Sequence, residues 1–139
     1  MNPPVRREAR ATVADLRRFA ERLPGVESGT SWGAEAYTVR GKAFVVFRTP
    51  RRDAVGDDGE RLTDVIVLST ADVEAKRALV EDPGTPFFTT PHFDGYKGVL
   101  VRGAHLHQLS PDELEEVVVE AWLARAPKRL AREWLADEG

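Results

Sequence analysis

Apolar residues recur at helical spacing close to the start of the chain, where Val13, Leu16, Phe19, Ala20 and Leu23 follow a polar Thr12. Thr12 with Asp15 three residues later is a short-chain relative of the capping box, so the spacing predicts an amphipathic helix over Val13 to Leu23, stopped by Pro24 and Gly25. From Val26 the pattern changes to Gly-rich turns between β-prone runs. Ala36 to Arg40 alternates, the Arg40-Gly41-Lys42 turn follows, and Ala43 to Arg48 forms the second arm of a hairpin. Strict alternation would place Phe44 and Val46 on one face and Val45 and Phe47 on the other. Residues 50–61 are polar and Gly-rich and read as a long hairpin tip, after which Asp64 to Ser69 is a third strand.

A second helix is predicted from Ala71, capped by Thr70 and ended by Pro83-Gly84. Phe87 to Thr90 and Gly98 to Arg102 read as a fourth and a fifth strand, with His105 to Leu109 extending the fifth after a bulge at Gly103. The last helix has the clearest start, with Ser110 as cap, Pro111 at the first helical position and Glu113 as the reciprocal partner. Leu114, Val117, Val118, Ala121 and Trp122 form its apolar stripe. Pro127 breaks it, and a further helical piece follows in which Lys128, Arg129 and Arg132 interleave with Leu130, Trp134 and Leu135. The order helix, three strands, helix, two strands, helix predicts an α+β domain over residues 1–139, an antiparallel sheet with helices mainly on one face.

Composition narrows the chemistry. The absence of cysteine among 139 residues excludes a disulfide scaffold, a thiol nucleophile and a Cys-ligated metal site. No apolar run approaches the roughly 20 residues of a membrane span, and the N-terminal stretch has no apolar segment after its arginines, so a cytoplasmic protein without membrane contact is expected. The net charge of −3 is spread along the chain, so any attraction to nucleic acid has to come from a local patch.

The stretch Thr89 to Arg102, TTPHFDGYKGVLVR, hangs a polar aromatic loop on a strand, the usual setting for binding groups. Within it His92, Tyr96 and Lys97 are candidates for recognising an anion, together with Lys42 in the hairpin turn and Trp32 in the Gly-flanked turn before it. Each also has a plain structural reading: His92 bonding its own loop, Tyr96 packing on the sheet, Trp32 capping the core, Lys42 solvated. His105 and His107, two apart, would share one strand face, but they fall short of the three or four ligands a zinc ion takes, and no metal or cofactor is expected. Lys128 and Arg129, just after the break, either complement the end of the preceding helix or join Lys42 and His92 at a cleft. No nucleophile with a matched base is visible, so a non-enzymatic protein is expected.

Three segments, LPGVESGTSWGAEAYTVRGKAF at Leu23 to Phe44, TPHFDGYKGVLVR at Thr90 to Arg102 and APKRL at Ala126 to Leu130, together resemble the MmcQ/YjbR family. The resemblance implies a YjbR-like fold related to the secretion-chaperone and CyaY-like arrangements. It also implies DNA binding, attributed in that family to a double wing of hairpins. Contacts would come from Lys42, Arg51, Arg52, Lys97, Lys128 and Arg129, mostly to phosphates. The tip at residues 50–61 departs from that picture: Arg51, Arg52 and Arg61 stand against Asp53, Asp57, Asp58 and Glu60, a net charge of −1 where a phosphate-binding wing should be positive. Two other classes stay open. One is a small-anion site between Trp32, Lys42, His92 and Tyr96, and the other a protein-interaction module using Trp122, Trp134 and Leu135.

Overall fold

Thr12 starts the first helix by the mechanism its sequence signals. Its side chain accepts a hydrogen bond from the Asp15 amide at 3.1 Å, and the Asp15 carboxylate accepts one from the Thr12 amide at 3.0 Å. Helix α1 then runs over Val13–Glu21 and buries Leu16, Phe19 and Ala20. The computed structural model describes residues 10–31, 33–48, 64–90, 93 and 95–138. The helix ends two residues before the expected Leu23, and Gly25, at φ 71°, turns the chain into a strand that the hydrophobic pattern did not show. Strand β1, Val26–Ser31, has four consecutive exposed residues and holds its place by backbone pairing with β2, Ala34–Val39. A polar sequence suits a sheet edge, because it discourages pairing with other chains.

Arg40 and Gly41 both adopt positive φ, 51° and 82°, in the two-residue turn from β2 to β3, Lys42–Phe47. That backbone matches the twist of a tight hairpin. Strict alternation fails in β3. Tyr37 pairs with Val45 but Thr38 with Ala43, so Phe44 is the extra residue of a bulge. Phe44 and Val45 both enter the main core in consequence, Phe47 packs against it too, and only Val46 joins the apolar cluster on the opposite face. Strand β4, Val65–Ser69, is buried along its whole length and is followed by helix α2, Val73–Glu81. The cap of α2 is Asp72, whose carboxylate accepts from the Ala75 amide at 2.8 Å, in place of the expected Thr70.

Strand β5, Gly98–Arg102, completes a five-stranded antiparallel sheet in the order β1-β2-β3-β4-β5. The expected fourth strand at Phe87 to Thr90 is reduced to one bridge, Phe88 exchanging both backbone bonds with Leu100. Thus the five strands comprise four before α2 and one after it. Beyond β5 the chain coils into a 3-10 helix, Gly103–Gln108, where a strand extension was expected. His107 Nδ1 bonds the Ala104 carbonyl at 2.8 Å, so the two histidines do not share a strand face.

Ser110 and Glu113 form the predicted capping box of helix α3, Pro111–Arg125, and α4, Lys128–Glu138, follows the break. Leu16, Phe19, Leu114, Val118, Ala121 and Trp122 pack α1 and α3 over the sheet face that carries Tyr37, Val39, Val45, Ile66, Leu68, Val99 and Val101. The opposite face, with Val46, Val65, Val67 and Leu100, is covered by Phe88, Phe93 and Tyr96 from the connection between α2 and β5. The architecture is α+β, an antiparallel sheet with its main helices on one face.

Asp64 fastens the far end of β4 and β5. Its carboxylate accepts from Arg102 Nε at 3.0 Å and from the Ala104 amide at 2.9 Å. Burial works to raise this carboxyl, but the Ala104 and Arg102 bonds together outweigh it and hold the group below its ordinary 3.8. A lowered folded pKa means stability that is present above about 3.8 and lost as pH falls through the lower folded value. Asp64→Asn is expected to cost about 1–2 kcal/mol at neutral pH in urea unfolding. The gap from the parent should close as pH falls through that window, and a gap unchanged down to the acid limit would contradict the assignment.

Candidate nucleic-acid interface

Antiparallel register determines which residues share an end of the sheet. Val39 pairs with both Val26 and Lys42, which puts the start of β1 and the Arg40-Gly41 turn together. Val45 pairs with Leu68 and Ser69 with Gly98, so the end of β4 and the start of β5 lie at that same end. Helix α3 delivers its last turn there. Trp122 Nε1 donates to the Pro24 carbonyl at 3.1 Å, and Arg125 Nε donates to Ser69 Oγ at 3.1 Å. Helix α4 begins three residues later, and its Leu130 packs beside Gly25, where a Cβ would lie 3.4 Å from Leu130 Cδ2 and 3.7 Å from Val39 Cγ2.

This geometry collects cations. Arg40, Lys42, Lys97, Lys128 and Arg129 are all exposed at this end, and no ion pair among the described residues engages them. Most other described arginines are neutralised where they stand. Arg17 grips Glu35 with two bonds of 2.7 and 3.1 Å and holds its carboxyl below the usual range. Arg18 pairs with Asp15, Arg22 with Glu115, Arg77 with Glu74 and Glu81, and Arg102 with Asp64. Of the carboxylates near this end, Asp72 is committed to its cap, whereas Glu27 at the start of β1 is exposed and in no ion pair among the described residues. Lys128 and Arg129 also stand in the first turn of α4, which has no acidic residue, so the positive pole of that helix adds to their field.

A sequence model of the YjbR family matches residues 21–124, which take in the whole sheet, α2 and nearly all of α3. The chain belongs to the YjbR family. Uncharacterised proteins of Mycobacterium tuberculosis and Mycobacterium bovis are 38 % identical to it over 140 residues, covering 93 % of this chain and 99 % of each relative. No solved structure matches the chain. The YjbR match ends before α4, and Lys128 and Arg129 are placed by the packing of Leu130 beside Gly25.

Of the residues singled out in the sequence of this YjbR protein, Lys42, Lys97, Lys128 and Arg129 are thus brought to one end. Trp32, Arg51, Arg52 and His92 lie outside the described residues, as does the tip at residues 50–61. Tyr96 takes its structural reading. Its ring meets Phe93 edge-on at 5.5 Å and lies over Gly98, where any Cβ would come within 2.7 Å of Tyr96 Cε2. Its hydroxyl accepts from Arg125 Nη2 at 3.4 Å. Of the suggested interaction surface, Trp122 is fully buried and Trp134 lies against it with ring centroids 5.6 Å apart and planes tilted by 59°, leaving Leu135 exposed.

Sequence reasoning missed Arg40, Arg125 and Lys76. Arg40 was absorbed into the turn that it helps to make, and Arg125 looked like the ordinary basic residue of a last helical turn. Lys76 is buried, 4 % exposed, and its ammonium donates to the carbonyls of Phe93 and, at 2.7 Å, Tyr96. An ammonium in that position replaces the water those carbonyls would otherwise bind, and so fixes the approach to Lys97. The lone lysine on the sheet-facing side of α2 was the available signal. Lys76→Met is expected to lower stability by about 1–3 kcal/mol in urea unfolding. It should also speed amide exchange at Gly95 to Lys97 relative to β2 and β3, whereas uniform acceleration would contradict a local anchoring role.

Proposed function

We propose that this YjbR-family chain is a non-enzymatic, cytoplasmic nucleic-acid-binding protein that grips phosphates with the basic end of its sheet. The observation that carries this reading is the convergence there of Arg40, Lys42, Lys97, Lys128 and Arg129 from three separate parts of the chain, none in an ion pair among the described residues. A protein with a net charge of −3 gains no general attraction for polyanions, so the local field has to do the work. Side chains on exposed turns and helix starts reach phosphates readily and carry little base information, so sequence preference is weak. Nearby Tyr96 is packed on Phe93 and Gly98, which favours backbone contact over base stacking.

The test is fluorescence anisotropy with labelled duplex and single-stranded DNA across a salt series. If all five cations engage duplex phosphates, the logarithmic salt slope is about −4 to −5. Lys128→Ala with Arg129→Ala should weaken binding across sequences and reduce that slope by about 2. An unchanged slope would remove these two residues from the interface, and absence of binding at low salt would end the reading.

A further inference from the structure

Beside the end of β4, where Ser69 and Thr70 contribute to its lining, α2, α3 and α4 flank an open apolar cavity of about 600 Å³. Ala78 and Leu79 of α2, Val117 and Val119 of α3 and Trp134 of α4 form its walls. Its volume lies within the roughly 300–1,000 Å³ typical of small-molecule sites. The charged residues that line it are all acidic, with Arg125 just behind the Ser69 hydroxyl. Glu115, Glu116 and Glu120 line it, and no lysine, arginine or histidine does among the described residues. Arg22 neutralises Glu115, whereas Glu116 and Glu120, one helical turn apart and exposed, make no ion pair among the described residues. Trp134 is half-buried, and Trp122 supports its indole from beneath.

We propose that this cavity binds a small organic ammonium ion with an apolar body. The body would occupy the space between Leu79, Val117 and Val119. The cationic head would lie at the mouth, where the Trp134 ring and the Glu116 and Glu120 carboxylates favour positive charge. A neutral ligand of the same shape leaves that charge preference unused, and an anion meets two carboxylates. Ser69 and Thr70, at the end of β4, also line the cavity, so it adjoins the basic end of the sheet, but its charged lining is Glu115, Glu116 and Glu120 and not the lysines there.

Isothermal titration calorimetry with phenylbutylamine, phenylbutanol and phenylbutyrate on the full chain at neutral pH tests the assignment. The ammonium should bind at least about tenfold tighter than the alcohol, with the carboxylate weakest. Glu116→Gln with Glu120→Gln should bring the ammonium down to the alcohol's affinity. Ala78→Phe, which fills the cavity from its exposed side, should abolish binding of both. Equal affinity for amine and alcohol, a preference that survives the double glutamine variant, or binding indifferent to Ala78→Phe would each overturn the proposal. So would a basic amphipathic peptide that binds where the ammonium gives no heat, or dimerisation that Ala78→Phe abolishes.

Discussion

The packing of α3 across the sheet is the constraint on which the rest depends, and Trp122 is its pin. The indole is fully buried beneath α4, and its Nε1 hydrogen satisfies the Pro24 carbonyl at the point where α1 hands over to β1. Truncating a tryptophan so placed ordinarily costs about 3–5 kcal/mol, a large share of a small domain's stability. Because the bond fixes the height of α3 against the strand ends, it also decides where Arg125 meets Ser69 and where the chain turns at Pro127. Lys128 and Arg129 owe their position to this apolar contact, although neither takes part in it.

A second level of organisation is electrostatic. Arginines on α1, α2 and β5 are paired with carboxylates, so their charge is spent on holding neighbouring elements together. Tyr37 shows how closely such groups are woven into the core. Its hydroxyl donates to Glu21 at 2.6 Å, Arg17 reaches it at 3.3 Å, and burial, reinforced by the Glu21 bond, pushes its titration up. Five cations without such partners among the described residues gather where the hairpin turn, the start of β5 and the start of α4 meet. A chain of negative net charge thereby presents a basic end.

Much of the fold was legible because its signals are local. The capping boxes at Thr12 and Ser110, the break at Pro127 and the hairpin turn at Arg40-Gly41 each act within a few residues. What could not be read depends on partners far along the chain. Val26–Ser31 is a strand because β2 offers it a ladder, and Phe44 is a bulge because Tyr37 and Thr38 pair two residues apart on β3. Phe88 reaches only one bridge because the chain crosses from there to cover the second face of the sheet. The basic residues were visible singly. Their convergence follows from strand order and from the Trp122 contact, and neither is written in local spacing.

Backbone amide NMR with an unlabelled short DNA duplex reports where on the chain a polyanion settles. With phosphates held at the basic end, shift changes are confined to Arg40 to Lys42, Lys97 and the Lys128 to Arg132 turn of α4, and fade as salt rises. Perturbation centred on the far end around Asp64 and Ala104, or a spectrum unchanged by DNA at low salt, would contradict that placement.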